Sequence, residues 1–212
     1  MTLFDDIREE AKPFFEKVRG SHDWSHVERV YKLCERIGKK ENADLKILKL
    51  AALLHDIGRL DEDESEGRID HAERSAFLAK KILKKHNLDK ETIEKVIHCI
   101  ETHRKRKNKK PKTVEAKVFF DADNLDSLGA VGIGRLFLFA GEIGAKLHIK
   151  DVDLEKHEQY SKDDTASREY HATIKHIKDR MLTEEGKRIA EERHKFMIDF
   201  FNRLNKEIDG VI

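Results

Sequence analysis

The chain is expected to fold as all-α, in one helical domain covering residues 1–212. Three observations predict this. Apolar residues recur at three- and four-residue spacing almost throughout, the period of an amphipathic helix. Alternating, strand-like runs are nearly absent. Charged residues make up 40% of the chain against 38% hydrophobic, a balance that long charged helix faces around a compact interior can sustain. The length of 212 residues is enough for one sizeable core, and the C-terminal helices, about 168–209, are expected to pack as part of it.

The elements follow in order. A first helix is predicted over about Leu3 to Val18, with a kink or late start at Pro13, because proline removes a donor and crowds the preceding turn. A second follows the capping residue Asp23 and runs to about Lys39, with Val27, Val30, Cys34 and Ile37 on its buried face. The third starts near Ala43 and is apolar on most sides through Ile47, Leu48, Leu50, Ala51, Ala52, Leu53 and Leu54, which implies burial. It ends at His55-Asp56, with Gly58 as its stop. Asp61 to Glu66 reads as an acidic surface loop without a role. Helices from about Asp70 to Lys85 and from Asp89, a capping residue, to about His103 come next. Lys105 to Lys112 is a basic loop closed by Pro111. The stripe Val118, Ala122, Leu125 marks another helix, and Gly129 to Gly144 continues as an apolar helical region whose glycines permit close packing. Asp151 to Ser167 is polar and aperiodic, the candidate for a long loop or lid. Two helices close the chain, about Arg168 to Met181 and Glu184 to Asp209, the last capped by Thr183.

Several function classes are excluded by composition. With 43 basic and 42 acidic residues, no global field steers the protein to nucleic acid or an anionic membrane, and affinity for phosphate must be local. Cys34 and Cys99 sit inside helical patterns and read as reduced core thiols. The first nineteen residues mix apolar side chains with Asp5, Asp6, Glu9 and Glu10, unlike a signal peptide, and no stretch approaches a membrane span. A soluble cytoplasmic protein is the expectation, with no membrane or nucleic-acid partner.

The feature that calls for chemistry is His55-Asp56, two polar groups side by side at the end of a nearly all-apolar helix. A helix-terminal histidine favoured by the macrodipole beside a solvated aspartate is the bland explanation. Successive positions differ by about 100° around a helix, so both can reach one ion only at its end, with distant residues completing the shell. His26 and Asp123 are available for that, giving a mixed nitrogen and oxygen set suited to a first-row divalent metal. His22 competes with His26 but precedes the cap at Asp23 and belongs in the turn. Asp121, Asp123 and Asp126 compete for the last position; the first two lie about 200° apart on a helix, so they cannot both face one ion. Asp121 is expected to be solvated, and Asp126 could support the ligands from behind.

The ordered series His26, His55-Asp56, Asp123 resembles the metal-binding signature of the HD-domain phosphohydrolase superfamily. The blocks that carry the likeness are His-Asp-Trp-Ser-His-Val-Glu-Arg-Val at 22–30, Leu-Leu-His-Asp-Ile-Gly at 53–58 and Asp-Ala-Asp-Asn-Leu-Asp-Ser-Leu-Gly-Ala at 121–130. It extends to Val-Ile-His-Cys-Ile-Glu-Thr-His at 96–103 and to the C-terminal Glu-Glu-Arg-His-Lys-Phe-Met, over nearly the whole chain, and it points to a small stand-alone bacterial and archaeal branch. The resemblance implies a helical HD-domain bundle in which His26, His55, Asp56 and Asp123 are metal ligands, His55-Asp56 forms the catalytic pair, and Asp123 occupies the last ligand position. It also implies that His71, His98 and His103 hold a second metal or contact substrate phosphate. On an ideal helix His98 and His103 lie about 140° apart, so convergence requires the helix to end or bend at His103. Nucleotidase branches often carry a Glu three residues beyond the HD aspartate; this chain has Arg59 there, which departs from that pattern.

The implied cofactor is one or two divalent ions per chain, Mn, Fe, Co, Ni, Zn or Mg, with borderline imidazole-carboxylate donors favouring the transition metals over Mg. Arg59 and Arg104, beside the HD pair and His103, could bind phosphate, because guanidinium forks match its oxygens; Arg135 and the run Lys105 to Lys110 read as solvated charge. His176 and Arg180 resemble family positions but carry no assigned role. The expected reaction is hydrolysis of a phosphate ester or anhydride in a nucleotide, with a nucleoside triphosphate cleaved to monophosphate and pyrophosphate as the reading the resemblance favours. A signalling-nucleotide phosphodiesterase or a phosphomonoesterase would use the same ligands. A different class, a non-catalytic nucleotide or RNA binder with a structural metal, would close the metal's coordination shell instead of leaving room for water.

Overall fold

The computed structural model describes residues 2–104, 109–149 and 161–212. The protein is all-α: the described residues contain α-helices and short 3₁₀ turns and no strand. They fall into two compact units, Met1–Asp123 and Asn124–Ile212.

In the first unit, α1 (Leu3–Ala11) is capped by Thr2 and ends earlier than its apolar pattern suggests, because Pro13 falls in the first turn of a 3₁₀ segment, Lys12–Phe15. α2 (Trp24–Lys40) starts where Asp23 accepts from the Ser25 N–H at 2.9 Å. α3 (Leu45–Leu54) begins at Asp44, which caps Lys46 and Ile47. Leu48, Leu50, Ala51, Ala52, Leu53 and Leu54 are all fully buried, since α3 packs against α1, α2 and α6 and also touches α5. Each such leucine contributes roughly 1.5–3 kcal/mol relative to exposure, so α3 is the axis of the unit. A Cβ on Gly38 would lie 2.5 Å from Leu48 Cδ1; glycine is what lets α2 and α3 approach this closely.

Beyond the HD pair the expectation of a surface loop is corrected. Arg59–Glu64 forms a short helix, α4, and Glu62 within it is buried. Gly58 ends the preceding turn by donating its N–H to Ser75 Oγ at 2.9 Å. α5 (His71–Lys85) and α6 (Lys90–Thr102), capped by Asp70 and Asp89, pack on each other. α7 (Val114–Leu125) is buried more completely than its single apolar stripe predicts: Val118, Phe119, Asp121 and Ala122 are all at 0% exposure. Cys34 on α2 and Cys99 on α6 are free thiols at 0% exposure, and burial pushes both up in pKa.

In the second unit, α8 (Gly129–Glu142) packs against α9 (Ala166–Ala172) and α10 (Glu184–Ile208). Of the glycines expected to admit close packing, Gly132 does so against Ser127, whereas Gly134, Gly141 and Gly144 face open space. The helix expected over Arg168 to Met181 stops at Ala172: β-branched Thr173 leaves the helical region at φ −127°, and two 3₁₀ turns, Ile174–His176 and Lys178–Arg180, follow. Thr183 caps α10 through the Gly186 N–H. Tyr170 stacks on Phe201 at 4.2 Å. Lys105 to Asn108 and most of the Asp151 to Ser167 segment lie outside the described residues.

Candidate metal centre

Six side chains from five places in the first unit converge. His26 comes from the first turn of α2, His55 and Asp56 from the end of α3, His71 from the first residue of α5, His103 from the C-cap of α6 and Asp123 from α7. They form two groups, His26–His55–Asp123 and Asp56–His71–His103, each with its donor atoms within 4.8 Å of one another. In the first, His26 Nε2 lies 3.2 Å from His55 Nε2 and 3.3 Å from Asp123 Oδ1, and His55 Nε2 lies 3.7 Å from that oxygen. In the second, His71 Nε2 lies 3.2 Å from both His103 Nε2 and Asp56 Oδ1, with His103 Nε2 3.9 Å from Asp56 Oδ1. Asp56 reaches both groups, because its Oδ2 is 3.7 Å from His55 Nε2 and 3.8 Å from His26 Nε2.

Proton positions follow from the partners. A carbonyl can only accept, so His55 Nδ1 donates to Ala52 O at 2.9 Å and His103 Nδ1 to Ile100 O at 2.6 Å. His71 Nδ1 donates to the Glu62 carboxylate. All three therefore present Nε2 lone pairs to the cluster, and at 3.2 Å the facing lone pairs of His71 and His103 repel unless a cation sits between them. Burial drives the His55 and His103 pKa values down, which disfavours a proton in that place and keeps the lone pairs available to a metal ion. Burial alone would raise Asp56 and Asp123, but the surrounding imidazoles outweigh it, assisted at Asp56 by Arg59, and both carboxyls titrate below their ordinary range. Asp56 Oδ1 is buried without any hydrogen-bond partner, a position natural to a ligand oxygen and costly otherwise. Donors about 2.0–2.2 Å from a shared ion stand at separations of this order. The donor set fits divalent metal in both groups.

Behind the second group lies an ionic network. Glu62 receives His71 Nδ1, Arg59 Nη1 at 3.3 Å and Arg104 Nη1 at 3.0 Å. Burial opposes its ionisation, yet His71 and Arg104 bring its pKa down to about 2. Arg59 Nη2 donates to His22 Nε2 at 2.8 Å, which places the His22 proton on Nδ1, 3.0 Å from Ser21 Oγ. Phe119 closes the back of the site, its ring 5.4 Å from that of His55 and 6.2 Å from that of His103.

His26, His55, Asp56, Asp123, His71 and His103 are thus brought together, with Arg59 and Arg104 beside them. His98 is not: its Nε2 accepts the Lys112 N–H at 3.0 Å. Asp121 is buried, against the expectation that it is solvated, and Asp126 pairs with Arg135 at 3.0 Å. His176 lines a separate cleft of about 390 Å³ in the second unit with His171, Lys175 and His194. Glu62 was hidden in an acidic run; its three-residue spacing from Arg59, on a turn that directly follows the HD pair, was the available signal.

Helices converging on paired imidazole-carboxylate groups define a class of metal-site protein, and comparison with known proteins specifies it. The chain belongs to the HD domain family, whose model matches residues 23–128. It is 35% identical over 213 residues to the Bacillus subtilis protein YpgQ, covering 98% of this chain and 94% of that one. The crystal structure of B. subtilis YpgQ in complex with ADP superposes with a TM-score of 0.77 at 33% identity, over 99% of this chain and 100% of that chain. An HD-superfamily hydrolase from Bacillus thuringiensis gives 0.75 at 27% identity, over 97% and 96%.

Proposed function

We propose that the protein is a metal-dependent phosphohydrolase that takes a nucleoside triphosphate to the monophosphate and pyrophosphate. Asp56 carries the reading. Its two oxygens address different histidine pairs, and the one toward His71 is buried without a hydrogen-bond partner, the arrangement of a carboxylate shared by two ions. His26, His55 and Asp123 would hold one ion, His71 and His103 the other, with Asp56 common to both. Divalent metal bound there supplies an acidified water and draws charge from the phosphoryl oxygens.

The chain's own groups do the rest. Neutral imidazoles held by their Nδ1 protons keep the donor edges aligned. Arg104, half-buried, spends one nitrogen on Glu62, and its remaining donors suit a phosphate oxygen; Arg59 adds positive charge on the same side. Occupancy of B. subtilis YpgQ by ADP supports a nucleotide as the substrate.

The test is to load the purified protein with Mn, Co, Ni, Zn or Mg in turn and incubate it with a panel of nucleoside triphosphates, monophosphates and cyclic nucleotides. Inorganic phosphate and pyrophosphate are then separated among the products. Pyrophosphate from triphosphates, absent with His55→Ala, is expected. Phosphate from monophosphates, or opening of cyclic nucleotides, would move the assignment to a phosphomonoesterase or a signalling-nucleotide phosphodiesterase. No turnover under any metal would leave a non-catalytic binder.

A further inference from the structure

We infer that Glu62 is a positioning residue that decides whether the second group, Asp56–His71–His103, holds its ion. The inference rests on reading the two groups as metal positions. Glu62 is the buried partner of His71 Nδ1, so it fixes both the ring and the tautomer that leaves Nε2 free as a donor. It also offsets two guanidinium charges. Arg59 Nη1 lies 2.8 Å and Arg104 Nη1 3.1 Å from His71 Nδ1, on the imidazole that would bind a dication. With Glu62 in place, the carboxylates of Glu62 and Asp56, with Asp70 4.0 Å from Arg104, outnumber the two arginines. Without its charge that surplus is lost, and a second dication meets a less negative neighbourhood. The first group, with two imidazoles, Asp123 and the other oxygen of Asp56, makes no use of Glu62.

Two unequal positions follow, one strong and one conditional on a residue that touches no ion. A guanidinium drawn away from Glu62 by an anionic substrate would shift this balance in the opposite direction to loss of the Glu62 charge, which links phosphate binding to retention of the second ion.

Titration with Mn²⁺ alone, by calorimetry and by the spin-coupled signal of a Mn pair, tests this without any turnover measurement. The wild type is expected to bind two ions. Glu62→Gln should keep the tighter ion and bind the second about 10- to 100-fold more weakly, with loss of the coupled signal. Glu62→Gln with Arg104→Gln, which removes one cation, should recover part of that affinity, a recovery that general damage to the fold would not produce. If Glu62→Gln proves unfolded, Glu62→Asp, which keeps the charge but shortens its reach, should show a smaller weakening confined to the second ion. Equal binding of both ions by wild type and variant overturns the inference, as does loss of both ions from a folded variant, or a double variant no better than the single. A wild type that binds no ion overturns the metal reading itself.

Discussion

Three imidazoles turn the same edge toward the cluster because each gives its one ring proton, on Nδ1, to a fixed acceptor, two to backbone carbonyls and one to a carboxylate. Asp56 depends on that alignment more than any other residue of the cluster, since it faces histidines on both sides. Asp56→Asn should therefore reduce turnover by more than the roughly 10- to 100-fold typical of an outer partner, while circular dichroism stays helical; a variant with near wild-type activity would remove Asp56 from the reaction. Glu62 makes a second prediction, on stability of the metal-free protein. Its folded pKa is about 2 against an ordinary 4.5, so the folded state is favoured where the carboxylate is ionised. That contribution is complete above about pH 4.5 and fades as pH falls toward 2. Urea midpoints measured from pH 6 to 2.5 should fall less steeply for Glu62→Gln than for wild type. His55-Asp56 was legible because two polar groups closing an apolar helix are rare; His26 and Asp123 became legible through the family resemblance, since the residues alone leave His22, Asp121 and Asp126 in competition. Glu62 and Asp121 were not, because an acidic side chain gives no local sign of the cations or burial that await it.

The helices were legible largely through their caps. Asp23, Asp70, Asp89 and Thr183 stand where the apolar period begins, and each accepts a first-turn N–H. Breaks were harder to read: Pro13 shortened α1 and Thr173 ended α9, in both cases while the apolar spacing continued. The turn after α3 is the element that aims Asp56, and it leaves no space. A Cβ on Gly58 would meet the Ser75 backbone nitrogen at 2.8 Å, and backbone cannot yield as a flexible side chain can. Gly58→Ala should cost about 1–3 kcal/mol and weaken metal uptake together with stability, whereas Asp44→Ala, at the far end of α3, should cost about 1 kcal/mol and leave uptake intact. Chemical denaturation paired with Mn²⁺ titration distinguishes the two.

Across the whole chain, 43 basic residues nearly cancel 42 acidic ones, and no described helix is long and apolar enough to cross a membrane. Selectivity for the anionic substrate proposed above would then arise in a small volume, where bound ions and two arginines would concentrate positive charge. An ion bound only by the folded state stabilises it by about 2.7 kcal/mol at a hundredfold excess over Kd, and each kcal/mol moves Tm by about 2–4 °C in a chain of this size. A rise of about 5–11 °C on adding Mn²⁺, reversed by chelator and absent in His55→Ala, is expected in a thermal scan; an unchanged transition would count against metal in the native state. The all-α class was accessible from pattern, and the resemblance separates His26, His55, Asp56 and Asp123 from His71, His98 and His103; it leaves the choice between His98 and His103 open, because that depends on where α6 ends. The buried thiols have a practical consequence. Cys34 lies on the helix whose first turn carries His26, and Cys99 one turn before His103. A thiol reagent can reach them only when those helices come apart, so the alkylation rate is a stopwatch for opening of the centre, and its slowing by metal would time how firmly the ions clasp α2 and α6.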